Sequence, residues 1–131
     1  MALVLKAVTY VVRDYDEAIA WFTDKLGFRL MEDVSMGEGK RWVRVAASDD
    51  GAGLILAKAQ GPEQVAAIGK AAGGRVAFFL HCDDFTATAA RMKAAGIVFR
   101  EEPRHEPYGT VAVFEDLYGN GWDLIEPREP A

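Results

Sequence analysis

The feature that most constrains this chain of 131 residues is that one order of elements occurs in it twice. In the first half LKAVTYVV (5–12) alternates as a strand does and breaks at Arg13-Asp14. Asp14 or Asp16 can cap a helix through DEAIAWFTDKLG, where Ala18, Trp21, Phe22 and Leu26 recur at helical spacing and Gly27 supplies the stop. Three strands are expected next, FRLMEDVSM, RWVRVAAS and LILAKA, separated by the turns GEGK and DDGAG. The second half runs the same way. RVAFFLHC reads as a strand, DDFTATAARMKAAG as a capped helix ending at Gly96, and IVFREE, TVAVFED and GWDLIEP as strands, with PRHEPYG as a Pro-rich loop. Residues 60–74 form a connector, with Pro62 at the start of a short helix and Gly73-Gly74 at its end.

The copies can be laid over each other. Asp14 stands seven residues beyond Ala7 and Asp84 seven beyond Ala77, and Gly27 and Gly96 follow those aspartates by 13 and 12 residues. In the final strands GLILA (53–57) is laid on NGWDL (120–124), which matches Leu56 to Asp123. Neither half is long enough to bury a sheet face alone. The expectation is one α+β domain, 1–131, made of two βαβββ modules (4–59 and 75–128) joined by the helical connector 60–74, with curled mixed sheets around a pocket and helices outside.

Composition narrows the partners. A chain that is 50% hydrophobic and 27% charged can bury a core, which excludes disorder. No apolar run approaches a membrane span, and MALVLKAVTYVV lacks the basic start and small-residue cleavage site of a leader, so a cytoplasmic location is expected. Cys82 is the single cysteine, which rules out an internal disulfide framework and a cysteine-based zinc site. Its neighbours Asp83 and Asp84 disfavour a thiolate. A net charge of −5 without a basic cluster disfavours nucleic acid and anionic membranes, leaving a small organic molecule or a second copy of the chain as partner. The phosphate-loop, Gly-x-Ser-x-Gly and His-Glu-x-x-His patterns are absent.

Asp123 stands out. A Gly-Asn-Gly turn launches Trp122, Leu124 and Ile125 as a strand with this carboxylate in its middle. Aspartate is depleted in strands and costly to bury unpaired, so it should face water, a cavity or a cation. Arg41, Arg44 and Arg75 are candidate partners. Trp122 and Leu124 point the other way, into the core.

VVRDYDEAIAWFTDKLGF, CDDFTATAARMKAAGI and FEDLYGNGWDLIEP together resemble the vicinal oxygen chelate superfamily, which includes glyoxalase I, bleomycin resistance proteins, fosfomycin resistance enzymes and extradiol dioxygenases. The resemblance implies paired βαβββ modules around a pocket, often completed by a homodimer. In metal-dependent members four positions face the pocket, and carried onto this chain they are Ala7, Leu56, Ala77 and Asp123. Three of these cannot bind a cation, and one carboxylate supplies too little affinity. No cofactor and no metal site is therefore expected, and an enzymatic role is disfavoured.

The expected ligand-binding pocket is Ala7, Thr9, Trp42, Leu56, Ala77, Phe79, His81, Tyr108 and Asp123. If Ala77 faces it, alternation brings Phe79 and His81 with it and sends Phe78, Leu80 and Cys82 under the helix. Tyr10, Trp42, Phe79, Phe114 and Trp122 supply aromatic surface for a flat or cationic ligand. Catalytic candidates are His81, Asp123 and Glu106, with His105 beside Glu106 in PRHEPYG; a metal held by His81, His105 and Asp123 would need a geometry unlike the family's. Three functions compete: a metal-free binder sequestering an aromatic or cationic molecule in a dimer pocket, a glyoxalase- or dioxygenase-like enzyme using a divalent metal at other positions or a His81/Asp123 acid–base pair, and a protein with a vestigial pocket that acts through its dimer surface.

Overall fold

In the first repeat the alternating stretch forms β1 (Ala7–Val12), whose buried Tyr10 and Val12 point to one side. Asp14 then caps α1 (Tyr15–Ala20): its Oδ2 accepts the Glu17 N–H at 2.8 Å, satisfying one of the free donors of the first turn. The sequence leads one to expect a single regular helix to Leu26. Instead the last turn (Trp21–Lys25) widens to a π-helical one, in which Leu26 N–H reaches back to the Trp21 carbonyl at 3.1 Å. Phe22, fully buried in this turn, meets Tyr10 edge-on at 5.3 Å and Phe28 at 5.5 Å. β2 (Arg29–Gly37), β3 (Lys40–Ala46) and β4 (Gly53–Lys58) follow, and α2 (Gly61–Ala67) opens with Pro62 in its first turn.

The computed structural model describes residues 1–128; the last three residues of the 1–131 assignment lie outside the described residues. The chain divides into two compact units, Met1–Ile68 and the remainder from Gly69. Each carries an open four-stranded mixed sheet with helices, the α+β architecture expected. The first sheet has the order β1-β4-β3-β2, with β1 parallel to β4 and the other neighbours antiparallel. Its helix-covered face is built from Tyr10, Val43, Val45, Leu54 and Leu56, all buried.

The second unit repeats the order as β5-β8-β7-β6: β5 (Val76–His81), α3 (Phe85–Ala94), β6 (Arg104–Glu106), β7 (Gly109–Glu115) and β8 (Gly121–Pro127). Asp84 caps α3 through the Ala87 N–H at 3.1 Å, as Asp14 caps α1. Phe78, Phe114, Trp122 and Leu124 form the helix-side core with Met92.

One expected strand is displaced. IVFREE contributes a single bridge, Phe99 to Phe114, and the paired strand β6 lies instead at Arg104–Glu106, within the expected loop PRHEPYG. The reason is local. Arg100 N–H still reaches the Val113 carbonyl, but the Val113 N–H is taken by the Glu101 side chain at 2.9 Å and Pro103 has no N–H to offer.

A second correction concerns the overlay of the repeats. Thr9 pairs with Ile55 and Phe79 with Asp123, and Thr9 and Phe79 each stand five residues before their capping aspartate. The counterpart of Asp123 is therefore Ile55, and Gly53–Ala57 corresponds to Gly121–Ile125. The overlay of GLILA on NGWDL is one residue out, and a slip of one reverses every side chain's face. Leu56, the register partner of Tyr10, is fully buried beneath α1. Among the described residues no helix is long and apolar enough to cross a membrane.

Candidate functional site

In the second unit β7 and β8 pair along their whole length, from Gly109↔Pro127 to Glu115↔Gly121. Their counterparts in the first unit do not. β3 and β4 pair at Arg44↔Ile55, Val45↔Leu54 and Ala46↔Gly53 and then part. Lys40–Val43 and Leu56–Lys58 flank the resulting wedge, which holds a cavity of about 470 Å³. Because the gap passes between strands, both faces of the sheet contribute to it: Trp42 and Ile55 from one, Tyr15 and Arg41 from the other, with Met36 and Lys40 at the hairpin end and Lys58, Gln60 and Gln64 toward α2.

Tyr15 holds the wedge. Its ring is 8% exposed, and its hydroxyl accepts the Arg41 main-chain N–H at 3.2 Å, a role a neighbouring strand would otherwise fill. The Arg41 guanidinium lies 5.1 Å from the Tyr15 ring centre and donates to Asp33 at 2.7 and 3.1 Å and to Asp16 at 2.9 Å. That pairing holds the Asp33 carboxyl below its usual range. Arg41 is thus a fixed wall whose charge is answered within the protein.

Across the face turned away from α1, register sets Thr9, Ile55, Arg44 and Glu32 in one row. Arg44 Nε donates to Glu32 at 2.8 Å and the Trp42 indole N–H to the other Glu32 oxygen at 3.1 Å, which together hold that carboxyl low and fix the indole. Arg44 Nη1 is buried and has no hydrogen-bond partner among the described residues.

The equivalent row of the second unit reads Phe79, Asp123, Val113. Asp123 is 9% exposed, and its Oδ1 is buried with no hydrogen-bond partner among the described residues. Burial raises its pKa above the ordinary value; Arg104 partly opposes this and Glu101 reinforces it. The cation that opposes the shift is Arg104, outside the expected candidates Arg41, Arg44 and Arg75. Arg41 and Arg44 are engaged by Asp33, Asp16 and Glu32. Arg104 itself is held by Glu101 at 3.1 Å and Glu106 at 3.0 Å.

Of the expected pocket residues, the wedge brings together Trp42 and Leu56. Ala7 and Thr9 lie on β1, outside its lining. Phe79 and His81 share their sheet face with Asp123; both are exposed, and no hydrogen bond joins His81 to Asp123 among the described residues. Ala77 sits at the irregularity where β5 loses register between Val76 and Phe78. Tyr108 is exposed in the β6–β7 turn, Glu106 serves the Arg104 ion pair, and His105 meets the Thr110 hydroxyl at 3.3 Å. Burial is the first cause that pushes the Cys82 thiol up, with Glu126 and Asp83 adding to it.

Ala7, Ile55 and Ala77 carry no donor atoms, and among the described residues no three His, Cys, Asp or Glu side chains converge as a cation would require. Ala7, Ile55, Ala77 and Asp123 together offer a single carboxylate, which does not fit the divalent-metal site that the resemblance implies.

Sequence reasoning missed one buried polar cluster. Asp116 accepts from the main chain of Tyr118 and Asn120 at 3.0 Å each, from Asn120 Nδ2 at 3.1 Å and from Trp122 Nε1 at 2.9 Å. The available signal was an Asp two residues before Tyr-Gly-Asn-Gly, an Asx-turn pattern. This cluster fixes the start of β8 and with it the placement of Asp123.

Comparison with known proteins agrees with this architecture. An uncharacterized protein of Shewanella frigidimarina (strain NCIMB 400) is 51% identical over 121 residues, covering 91% of this chain and 90% of that relative. The crystal structure of UcmS2 superposes with a TM-score of 0.81 at 36% identity, covering 96% of this chain and 99% of that one. TnmS3, an antibiotic binding protein from Streptomyces sp. CB03234, superposes with a TM-score of 0.76 at 26% identity, covering 98% and 99%. The model of the Glyoxalase/Bleomycin resistance protein/Dioxygenase superfamily matches residues 4–124, and the chain belongs to that superfamily.

Proposed function

We propose that this protein is a metal-free binder of a small organic molecule, acting in the cytoplasm as a homodimer. The observation that carries the reading is the cavity of about 470 Å³ in the first unit, walled by Tyr15, Trp42 and Ile55, in a chain whose family metal positions offer a single carboxylate. That volume falls within the roughly 300–1,000 Å³ of ordinary ligand pockets. The antibiotic-binding role of TnmS3 supports the reading. The test pairs elemental analysis of protein purified without chelator with a thermal-shift screen of small aromatic compounds of each charge. Metal-free protein stabilised by at least one compound class is the expected result. One tightly held metal per chain would overturn it.

Asp123 favours a second reading, acid–base catalysis of the glyoxalase kind. A buried carboxyl with a raised pKa and an unoccupied oxygen can hold a proton for a substrate. Isomerisation of an α-keto compound that vanishes in Asp123→Asn would establish it.

A further inference from the structure

We infer that the wedge between β3 and β4 takes a flat aromatic anion, a carboxylate or sulfonate on a bicyclic-sized ring; the inference rests on the binding reading above and names its ligand class. The net charge of −5 and Asp123 suit the cationic of the two expected guests, aromatic or cationic. The wall of this cavity is of the opposite sign. Among the described residues its lining holds Lys40, Arg41 and Lys58 and no carboxylate.

The three cations are not equivalent. Arg41 is answered by Asp33 and Asp16, so it shapes the wall and adds little net field. Lys40 and Lys58 make no ion pair among the described residues, and both are exposed at the cavity's rim. They approach from opposite sides of the wedge, one from the β2–β3 hairpin and one from the end of β4. A guest between the parted strands would meet both ammonium groups.

The remaining walls select for a flat ring. Trp42 is 42% exposed, yet its indole is fixed by the hydrogen bond to Glu32, so stacking on it costs little further ordering. Ile55 and Met36 add apolar surface. Gln64 accepts the Gln60 N–H through its Oε1 at 2.9 Å, which turns its amide NH2 to serve as a donor beside the lysines. Two lysines and an amide donor suit an anion, and a cation would find no acceptor charge on this wall.

A charge-inverted pair of probes tests this: naphthalenesulfonate and naphthylmethylammonium, with binding read by quenching of the Trp42 fluorescence that Trp42→Phe removes. The sulfonate should bind and the ammonium should not. Lys58→Glu and Lys40→Glu should each weaken the sulfonate about tenfold and lower its salt dependence, while Arg29→Glu, an equal charge change outside the cavity lining, leaves it unaltered. The inference is overturned if the ammonium binds as well as the sulfonate, if sulfonate binding survives both lysine reversals, or if no quenching occurs by about 1 mM. In the first two of those outcomes the small-molecule reading still stands, whereas a resident metal would overturn that reading whatever the probes do.

Discussion

The indole N–H of Trp122 donates to Asp116 Oδ2 at 2.9 Å, with both residues buried. Asp116 also gathers the main-chain N–H groups of Tyr118 and Asn120, so one side chain satisfies the turn that launches β8. Asp116→Ala would leave several buried donors without an acceptor. A loss of about 3 kcal/mol is expected, read as a lower urea midpoint at unchanged slope. Asp116→Asn, which keeps one acceptor oxygen, should lose less.

Gly109 sits at φ 151°, where an added Cβ would run into the Glu126 carbonyl oxygen of the paired strand. Gly109→Ala should therefore destabilise by about 3 kcal/mol or more, because backbone rather than a flexible side chain stands in the way. Gly73→Ala, with open space around the same atom but a positive φ, should cost about 1 kcal/mol. Equal costs in parallel denaturant curves would contradict the close approach of β7 and β8.

Asp123 should make stability fall as pH rises. Burial lifts its folded pKa above the ordinary 3.8, so the native state binds the proton more tightly than the unfolded chain does. Stability is lost between 3.8 and the raised folded value and stays lower above it. Asp123→Asn cannot titrate, so melting scans should show the variant gaining on the parent between about pH 3 and about pH 7. A parent that instead gains on the variant over that range would mean that Arg104 outweighs burial.

The two capping aspartates offer a test of the repeat. Asp14→Ala and Asp84→Ala each remove an acceptor from a first-turn N–H and should each cost about 1 kcal/mol. Non-identical caps would show as one silent substitution in thermal unfolding.

Both helices begin at the aspartates read from the sequence and end near Gly27 and Gly96, because caps and stops are chosen by residues within one turn of each other. The order of elements along each repeat was legible for the same reason, although the strand expected at IVFREE lies at Arg104–Glu106. The site was less so. Trp42 does line a cavity, but burial governs Asp123, and the cation that partly opposes its raised pKa is Arg104, which lies in the stretch PRHEPYG expected as loop. Nothing near Arg104 in sequence shows that Glu101 takes the Val113 N–H and moves the paired strand downstream.

By itself the sequence determined the doubled element order, the caps and the family's fold, since these rest on local chemistry repeated at matching intervals. Tertiary structure alone decided that Ile55 rather than Leu56 answers to Asp123, that β3 and β4 part beyond Arg44 while β7 and β8 stay zipped, and that the resulting cavity is basic. Register is settled by which backbone groups meet across strands distant in sequence, and one residue's shift there turns a pocket wall into core.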